Sequence, residues 1–391
     1  MAKNIAILGS TGSIGTSTLK VLDALGSDYR VFALTAHSNV ELLAGQVRKY
    51  RPQLVGITCA DQEGYLRRLL ADVDTEILAG PSSLEKIAAD NEVDTIVAAV
   101  VGAAGLPALL EGAKNGKTLA IANKEPLVIA GQLLTRAARE NSATILPVDS
   151  EHSAVFQAMQ AGRREEVNRI ILTASGGPFR TATAEQIENA TLDDALAHPT
   201  WDMGPKVTVD SATMMNKALE VIEAHWLFDK PPEKIDVLIH PESIVHSLVE
   251  FIDGSVIAQL GTPDMCLPIQ YAITYPQRVK GISPHLRLDE LGRLTFEKPN
   301  LKTFRALALG FEVAGIGDSA PVVFNAANEQ AVHLFLNGKI KFSAIVELIE
   351  RCLDKHNIHP CESLEELLEA DRWARNEVNR CLSNSKTQKV L

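Results

Sequence analysis

Asp149 and Glu151 stand two positions apart, so in extended backbone their carboxylates point to the same side. Neighbouring carboxylates in a cleft repel, and one takes up a proton unless a cation intervenes. Oxygen-only ligands with an open coordination sphere suit Mg²⁺ or Mn²⁺, and the chain offers no His/Cys set convincing for zinc. The same residues also read as a helix start, with Asp149 or Ser150 capping and Glu151 complementing the dipole. Further on, Asp210 to Glu220 predicts a helix from about Ala212 to Phe228, with Ser211 near its cap and Met215, Leu219, Ile222 and Trp226 as the apolar stripe. Asn216 and Glu220, one turn apart, then share an adjoining face with Lys217. A carboxylate, an amide and an ammonium there complete a metal site and hold a phosphate. Alternatively they are a solvated face whose Lys217–Glu220 pair is worth ~0.2–0.5 kcal/mol.

Two glycine clusters read as anion cradles. Gly9-Ser-Thr11-Gly12-Ser13-Ile14-Gly15 follows a strand-like run and opens a helix, the context in which backbone N–H groups and the helix dipole meet a pyrophosphate. Its spacing is G-x-x-G-x-x-G, and a tight strand-to-helix turn is the plainer reading. Ser175-Gly176-Gly177-Pro178 follows the strand NRIILTA and is either a second cradle or a generic turn. After the second strand, Thr35 to Asn39 contains no acid to bind a ribose 2′-hydroxyl, which favours NADPH over NADH. His37, Ser38 and Asn39 are able to meet a 2′-phosphate, while Ser38 or Asn39 also serves as a helix cap. Asn123-Lys124-Glu125 and Asp149-Ser150-Glu151 likewise follow strands. Because ligands of open α/β sheets bind beyond the strands' carboxyl ends, these clusters are expected to line one cleft. Between His198 and Pro205, prolines and a glycine interrupt regular structure around Trp201 and Gly204, a candidate lid unless Trp201 plugs a core.

The elements that must position these groups follow from hydrophobic periodicity. From residue 4 to about 150, about seven short apolar runs alternate with amphipathic helical stretches, which predicts a doubly wound, Rossmann-like parallel sheet over 1–149. Residues 150–275 read as an α+β domain with a hairpin around Asp253-Gly254, 276–298 as a turn-rich linker, and 299–391 as a helical bundle. The fold class is therefore α/β, with a central α+β domain and a C-terminal helical bundle.

The whole chain has 391 residues, 46% of them hydrophobic and 22% charged, which excludes wholesale disorder. A net charge of −11 argues against a nucleic-acid partner. Five scattered cysteines fit a reducing compartment. The first strand begins at Asn4, leaving no room for a secretion signal, and the uncharged stretch Thr95 to Leu110 is too short to span a bilayer. A cytoplasmic protein with no membrane partner is expected.

Taken together, GSTGSIG at 9–15, ANKEPLV at 122–128, PVDSEHSA at 147–154, TASGGPF at 173–179, HPTWDMG at 198–204, VDSATMMNKALE at 209–220 and NAANE at 325–329 resemble the 1-deoxy-D-xylulose 5-phosphate reductoisomerase family. The resemblance runs from residue 4 into the C-terminal bundle. It implies an NADPH-dependent enzyme of non-mevalonate isoprenoid synthesis that rearranges 1-deoxy-D-xylulose 5-phosphate and reduces the resulting aldehyde to 2-C-methyl-D-erythritol 4-phosphate. By position, it implies that Asp149, Glu151 and Glu220 bind Mg²⁺ or Mn²⁺. Ser175, Ser211, Asn216 and Lys217 would hold the phosphate, with Ser150 and Lys124 near the reacting oxygens, His198 over the substrate and Trp201 on the lid. Gly9, Thr11, Gly12, Ser13, Ile14, Asn123, Glu125 and Gly204 would line the NADPH site. It further implies a homodimer, with catalysis and dimerisation in 150–275, and inhibition by phosphonate hydroxamates. The chain departs from the family at His37-Ser38, where many members have glycine and a basic residue, so the 2′-phosphate contact is open. Rival readings are an NADPH-linked aldehyde or semialdehyde dehydrogenase that needs no metal, and a non-catalytic nucleotide sensor.

Overall fold

The computed structural model describes residues 2–201 and 203–388. Asp202, part of the HPTWDMG motif, lies outside the described residues. The chain forms two compact units: Met1–Pro126 with Gln132–Ser153 and Asp264–His285, and Leu127–Gly131 with Ala154–Pro263 and Leu286–Leu391.

The first unit holds the seven strands expected, β1 (Lys3–Leu8), β2 (Tyr29–Ala36), β3 (Leu54–Ile57), β4 (Glu76–Ala79), β5 (Thr95–Ala98), β6 (Thr118–Ile121) and β7 (Thr144–Pro147). All pair in parallel in the order β4-β3-β2-β1-β5-β6-β7. Ile5, Ala6, Ile7 and Leu8 are fully buried, as a strand covered by helices on both faces requires. The order reverses between β1 and β5, so the carboxyl ends of these two strands flank the crevice where such sheets bind ligands. The helix Cys266–Thr274 also belongs to this unit. It packs on the helix Ser13–Leu25, and Lys3 Nζ donates to Ile273 O at 3.3 Å. The sequence periodicity places residues up to 275 with the central domain. The contacts differ because Ile269 and Ile273 are fully buried within the first unit.

The second unit contains β8 (Val167–Ala174), β9 (Ile235–Ile239), β10 (Val245–Phe251) and β11 (Val256–Leu260) in the order β11-β10-β8-β9. β8 and β9 run parallel, and β10 is antiparallel to both β8 and β11. The hairpin turns at Asp253-Gly254, where Gly254 has φ +87°. The helices Arg305–Ile316, Ala320–Leu336, Ala344–Lys355 and Leu364–Gln388 make the C-terminal bundle.

One expected element is corrected. Instead of a single helix from Ala212 with Ser211 at its cap, there are two helices, Pro205–Ala212 and Met215–Phe228, and Ser211 lies in the last turn of the first. Between them Met214 takes the left-handed conformation, φ +61°. The Thr213 hydroxyl explains the break. It lies 3.2 Å from Val209 O and 3.1 Å from Asp210 O, and it accepts from Met215 N at 3.3 Å, a side-chain alternative to continued helical bonding.

Candidate active site

In the first unit the glycine turn is built by its neighbours. Gly9 N donates to Thr35 Oγ1 at 2.9 Å and Ser10 N to Thr35 O at 2.8 Å. Ser10 Oγ and Gln46 Oε1 are 2.7 Å apart, and Gln46 Nε2 donates to Ser10 O at 2.9 Å. Gly9 has φ +89°, and a Cβ there would stand 2.6 Å from Ala99 O. Gly12 is exposed and caps the helix Ser13–Leu25, a Cβ there meeting only Gly9 O at 3.6 Å. Thr11 and Ile14 are half-buried and Ser13 exposed beside it. The turn thus keeps open backbone where a nucleotide phosphate would approach. Sequence reading passed over Gln46, whose only signal is a polar residue on the apolar face of its helix.

His37, Ser38 and Asn39 are exposed. Asn39 Oδ1 caps the following helix by accepting from Leu42 N at 3.3 Å, and His37 Nδ1 lies 2.8 Å from Thr58 Oγ1. After β6, Asn123 Nδ2 donates to Gly102 O at 3.3 Å and lies 3.4 Å from Glu125 Oε2, and Glu125 is buried. Lys124 Nζ sits 2.7 Å from Asp149 Oδ2, each side chain only 12% exposed. Ser150 Oγ donates to Glu151 Oε2 at 2.6 Å. Carboxylate oxygens of Asp149 and Glu151 lie within 4.8 Å of each other, but not through extended backbone: Ser150 opens the helix Ser150–Ala158 and Glu151 lies in its first turn, as the helix-start alternative has it. His152, absent from the sequence-level set, is fully buried with Nδ1 4.0 Å from Asp149 Oδ2.

In the second unit, Asn216 Nδ2 donates to Glu220 Oε1 at 2.6 Å and Lys217 Nζ pairs with Glu220 Oε2. Glu220 is fully buried and Lys217 3% exposed, which rules out the solvated-face alternative. After β8, Ser175 Oγ lies 3.0 Å from His198 Nε2 and accepts from Gly177 N at 3.3 Å. His198 Nδ1 accepts from Thr200 N at 3.2 Å and Trp201 N at 2.9 Å, which fixes the imidazole proton on Nε2. Ser175 Oγ therefore receives two N–H groups, and its own hydrogen is left to donate to an anion. Burial lowers the His198 pKa, in keeping with the neutral ring. Gly177 has φ +65°, and a Cβ there would stand 2.5 Å from Ser211 O, so this turn lies against Ser211. Trp201 is half-buried and Gly204 exposed.

The donors suit the groups they were expected to hold. Asp149, Glu151 and Glu220 offer hard oxygens, and Asp149 and Glu220 each already face an ammonium. The open turn at Gly12 suits a dinucleotide phosphate.

Family profiles for 1-deoxy-D-xylulose 5-phosphate reductoisomerase match residues 5–131, for its C-terminal domain residues 145–228, and for the DXP reductoisomerase C-terminal domain residues 260–377. The 1-deoxy-D-xylulose 5-phosphate reductoisomerase of Geobacter sp. strain M21 is 52% identical over 380 residues, 97% of this chain and 99% of the relative. That of Trichlorobacter lovleyi is 51% identical over 374 residues, 95% and 96% of the two chains. The Zymomonas mobilis enzyme in complex with NADPH superposes with a TM-score of 0.93 at 41% identity, covering 98% and 99%. A DOX-P reductoisomerase crystallised with NADPH, fosmidomycin and magnesium gives a TM-score of 0.93 at 42% identity, covering 98% of this chain and 99% of that one.

Proposed function

The chain belongs to the 1-deoxy-D-xylulose 5-phosphate reductoisomerase family, and on that premise we propose which of its residues perform the reaction. The activity is NADPH- and divalent-metal-dependent conversion of 1-deoxy-D-xylulose 5-phosphate to 2-C-methyl-D-erythritol 4-phosphate, a rearrangement followed by a reduction. Asp149, Glu151 and Glu220 hold the Mg²⁺ or Mn²⁺. The bound cation supplies Lewis-acid stabilisation of charge developing on substrate oxygen, and NADPH supplies the hydride.

The remaining groups bind and orient. Ser175, Ser211, Asn216 and Lys217 take the phosphate, so that binding energy remote from the reacting carbons positions a small substrate. Ser175 donates from a hydroxyl whose oxygen is already occupied by His198 Nε2 and Gly177 N. Lys124 and Ser150 face the reacting oxygens, and Lys124 Nζ pairs with Asp149 Oδ2. His198 and Trp201, on the 197–204 segment, exclude water above the substrate. Gly9, Thr11, Gly12, Ser13, Ile14, Asn123, Glu125 and Gly204 meet NADPH, with His37, Ser38 and Asn39 toward its 2′-phosphate. The first unit, with its returning segment Asp264–His285, binds the nucleotide, and in the second unit 154–263 carry catalysis and a homodimer interface while 299–391 support the catalytic part. The site is cytoplasmic. No helix among the described residues is long and apolar enough to cross a membrane.

The observation that carries this reading is the buried Lys217–Glu220–Asn216 cluster. A buried ion pair adds little stability over an apolar pair, so its presence at the start of the Met215–Phe228 helix is better explained by a ligand. The test is NADPH oxidation with 1-deoxy-D-xylulose 5-phosphate and Mn²⁺, abolished by EDTA. Turnover unchanged by EDTA would favour a metal-free aldehyde dehydrogenase. Glu220→Gln is expected to lower kcat about 10²–10³-fold, with the NADPH KM within about twofold, as loss of a transition-state charge stabiliser does. Near-wild-type turnover would remove Glu220 from the metal site.

A further inference from the structure

Asp210 precedes Ser211 and is 1% exposed, so its charge depends on partners. Lys206 Nζ, one turn earlier in the same helix, lies 2.8 Å from Oδ2. Asn328 Nδ2, from the bundle helix Ala320–Leu336, donates to Oδ1 at 2.9 Å. Asn328 is itself fully buried, and its Oδ1 has no hydrogen-bond partner among the described residues. A buried carbonyl in that state forfeits its hydration without compensation. An apolar side chain would fill the space without that cost, so the amide is explained by what its N–H does at Asp210.

The segment held in this way is a strained one. Met214 is 2% exposed and left-handed at φ +61°, a conformation that is unfavourable for a bulky residue and persists only where its surroundings impose it. Beyond the turn, the bundle helix Arg305–Ile316 packs on Met215–Phe228 so closely that a Cβ on Gly310 would stand 2.6 Å from the Ala218 Cβ. The bundle thus grips the chain on both sides of Met214.

We propose that Asn328 is a positioning residue for the substrate's phosphate. Through Asp210 it sets the Pro205–Ala212 helix so that Ser211 stands against the Ser175 turn and the chain leaves Met214 toward Asn216 and Lys217. This rests on the assignment of Ser175, Ser211, Asn216 and Lys217 to the phosphate. Its consequence is that the bundle governs affinity for the phosphorylated sugar and leaves affinity for the nucleotide alone.

The experiment uses the full-length chain as wild type, Asn328→Leu, Asp210→Asn and the exchange Asp210→Asn/Asn328→Asp, which restores an amide–carboxylate pair with the roles reversed. Each single variant is expected to raise the KM for 1-deoxy-D-xylulose 5-phosphate by about fivefold or more, with the NADPH KM within about twofold, and the exchange to recover most of the loss. An unchanged substrate KM in folded Asn328→Leu, or a loss that the exchange does not reverse, would overturn the proposal. If Asn328→Leu does not fold, Asp210→Asn against the exchange decides the same question. If the wild type fails to oxidise NADPH with this substrate, the parent reading falls, and inorganic phosphate then tests the pair by itself. A thermal shift by phosphate in the wild type that Asp210→Asn lacks supports the positioning role, and equal shifts refute it.

Discussion

The turn after β1 and the turn after β8 are both glycine-rich continuations of a buried strand, yet their glycines answer to different neighbours. At Gly9 the crowding atoms are Ala99 O and C, on the chain leaving the adjacent strand β5, and the helix that follows begins at once. At Gly177 the crowding atom is Ser211 O, which arrives from a separate helix. The first turn is a standard piece of α/β architecture in which, on the proposed assignment, the backbone itself would receive the anion. The second is a docking point between segments distant in sequence, and the receptor proposed there is a hydroxyl oriented by an imidazole. Similar residues therefore support a local device in one place and a tertiary one in the other.

Substitutions separate the two. Gly177→Val places a branched side chain at φ +65° and 2.5 Å from Ser211 O, and is expected to lower kcat/KM for the sugar phosphate about 30–100-fold while the NADPH KM holds. A matching loss of NADPH affinity would show that the turns do not act separately. Gly9→Ala is expected to do the converse, raising the NADPH KM about tenfold with the substrate KM little changed. Gly12→Ala meets no close atom, so the melting temperature should hold while the NADPH KM rises about threefold. An unchanged KM would place the pyrophosphate elsewhere.

The smallest effect concerns His198. Burial lowers its pKa, so the folded state takes up a proton less readily than the unfolded chain. Stability from this group is then complete above the ordinary imidazole value of about 6.5 and is lost as pH falls through the lowered one. Between pH 7 and 5.5 the wild type should lose about 1–2 °C more in Tm than His198→Gln. Equal slopes would mean that the Thr200 and Trp201 N–H contacts to His198 Nδ1 tolerate its protonation.

What was legible in the sequence divides along the same line. The seven strands, the hairpin at Asp253-Gly254 and the Asn39 cap are set by residues within a few positions of one another, and periodicity or capping chemistry reports them directly. The proximity of Asp149 and Glu151 was expected from extended backbone, whereas a helix beginning at Ser150 brings it about, so only the closeness and not its cause was legible. The helix break at Met214 was not, because Thr213 looks like an ordinary helix interior residue until its hydroxyl is seen among Val209 O, Asp210 O and Met215 N. Nor did spacing show that Lys217 and Glu220 are buried, that His152 lies beside Asp149, or that Asn328 reaches Asp210. These depend on partners from other elements, or on burial that no local pattern encodes.

The return of Asp264–His285 to the first unit bears on how the chain can be cut. A fragment stopping near residue 149 would lack the Cys266–Thr274 helix and would bare the side of the Ser13–Leu25 helix on which it packs. Such a fragment is expected to aggregate, whereas one rejoined to 264–285 by a short tether would keep a dry interior. The first unit is therefore discontinuous, and it cannot be transplanted by a single excision.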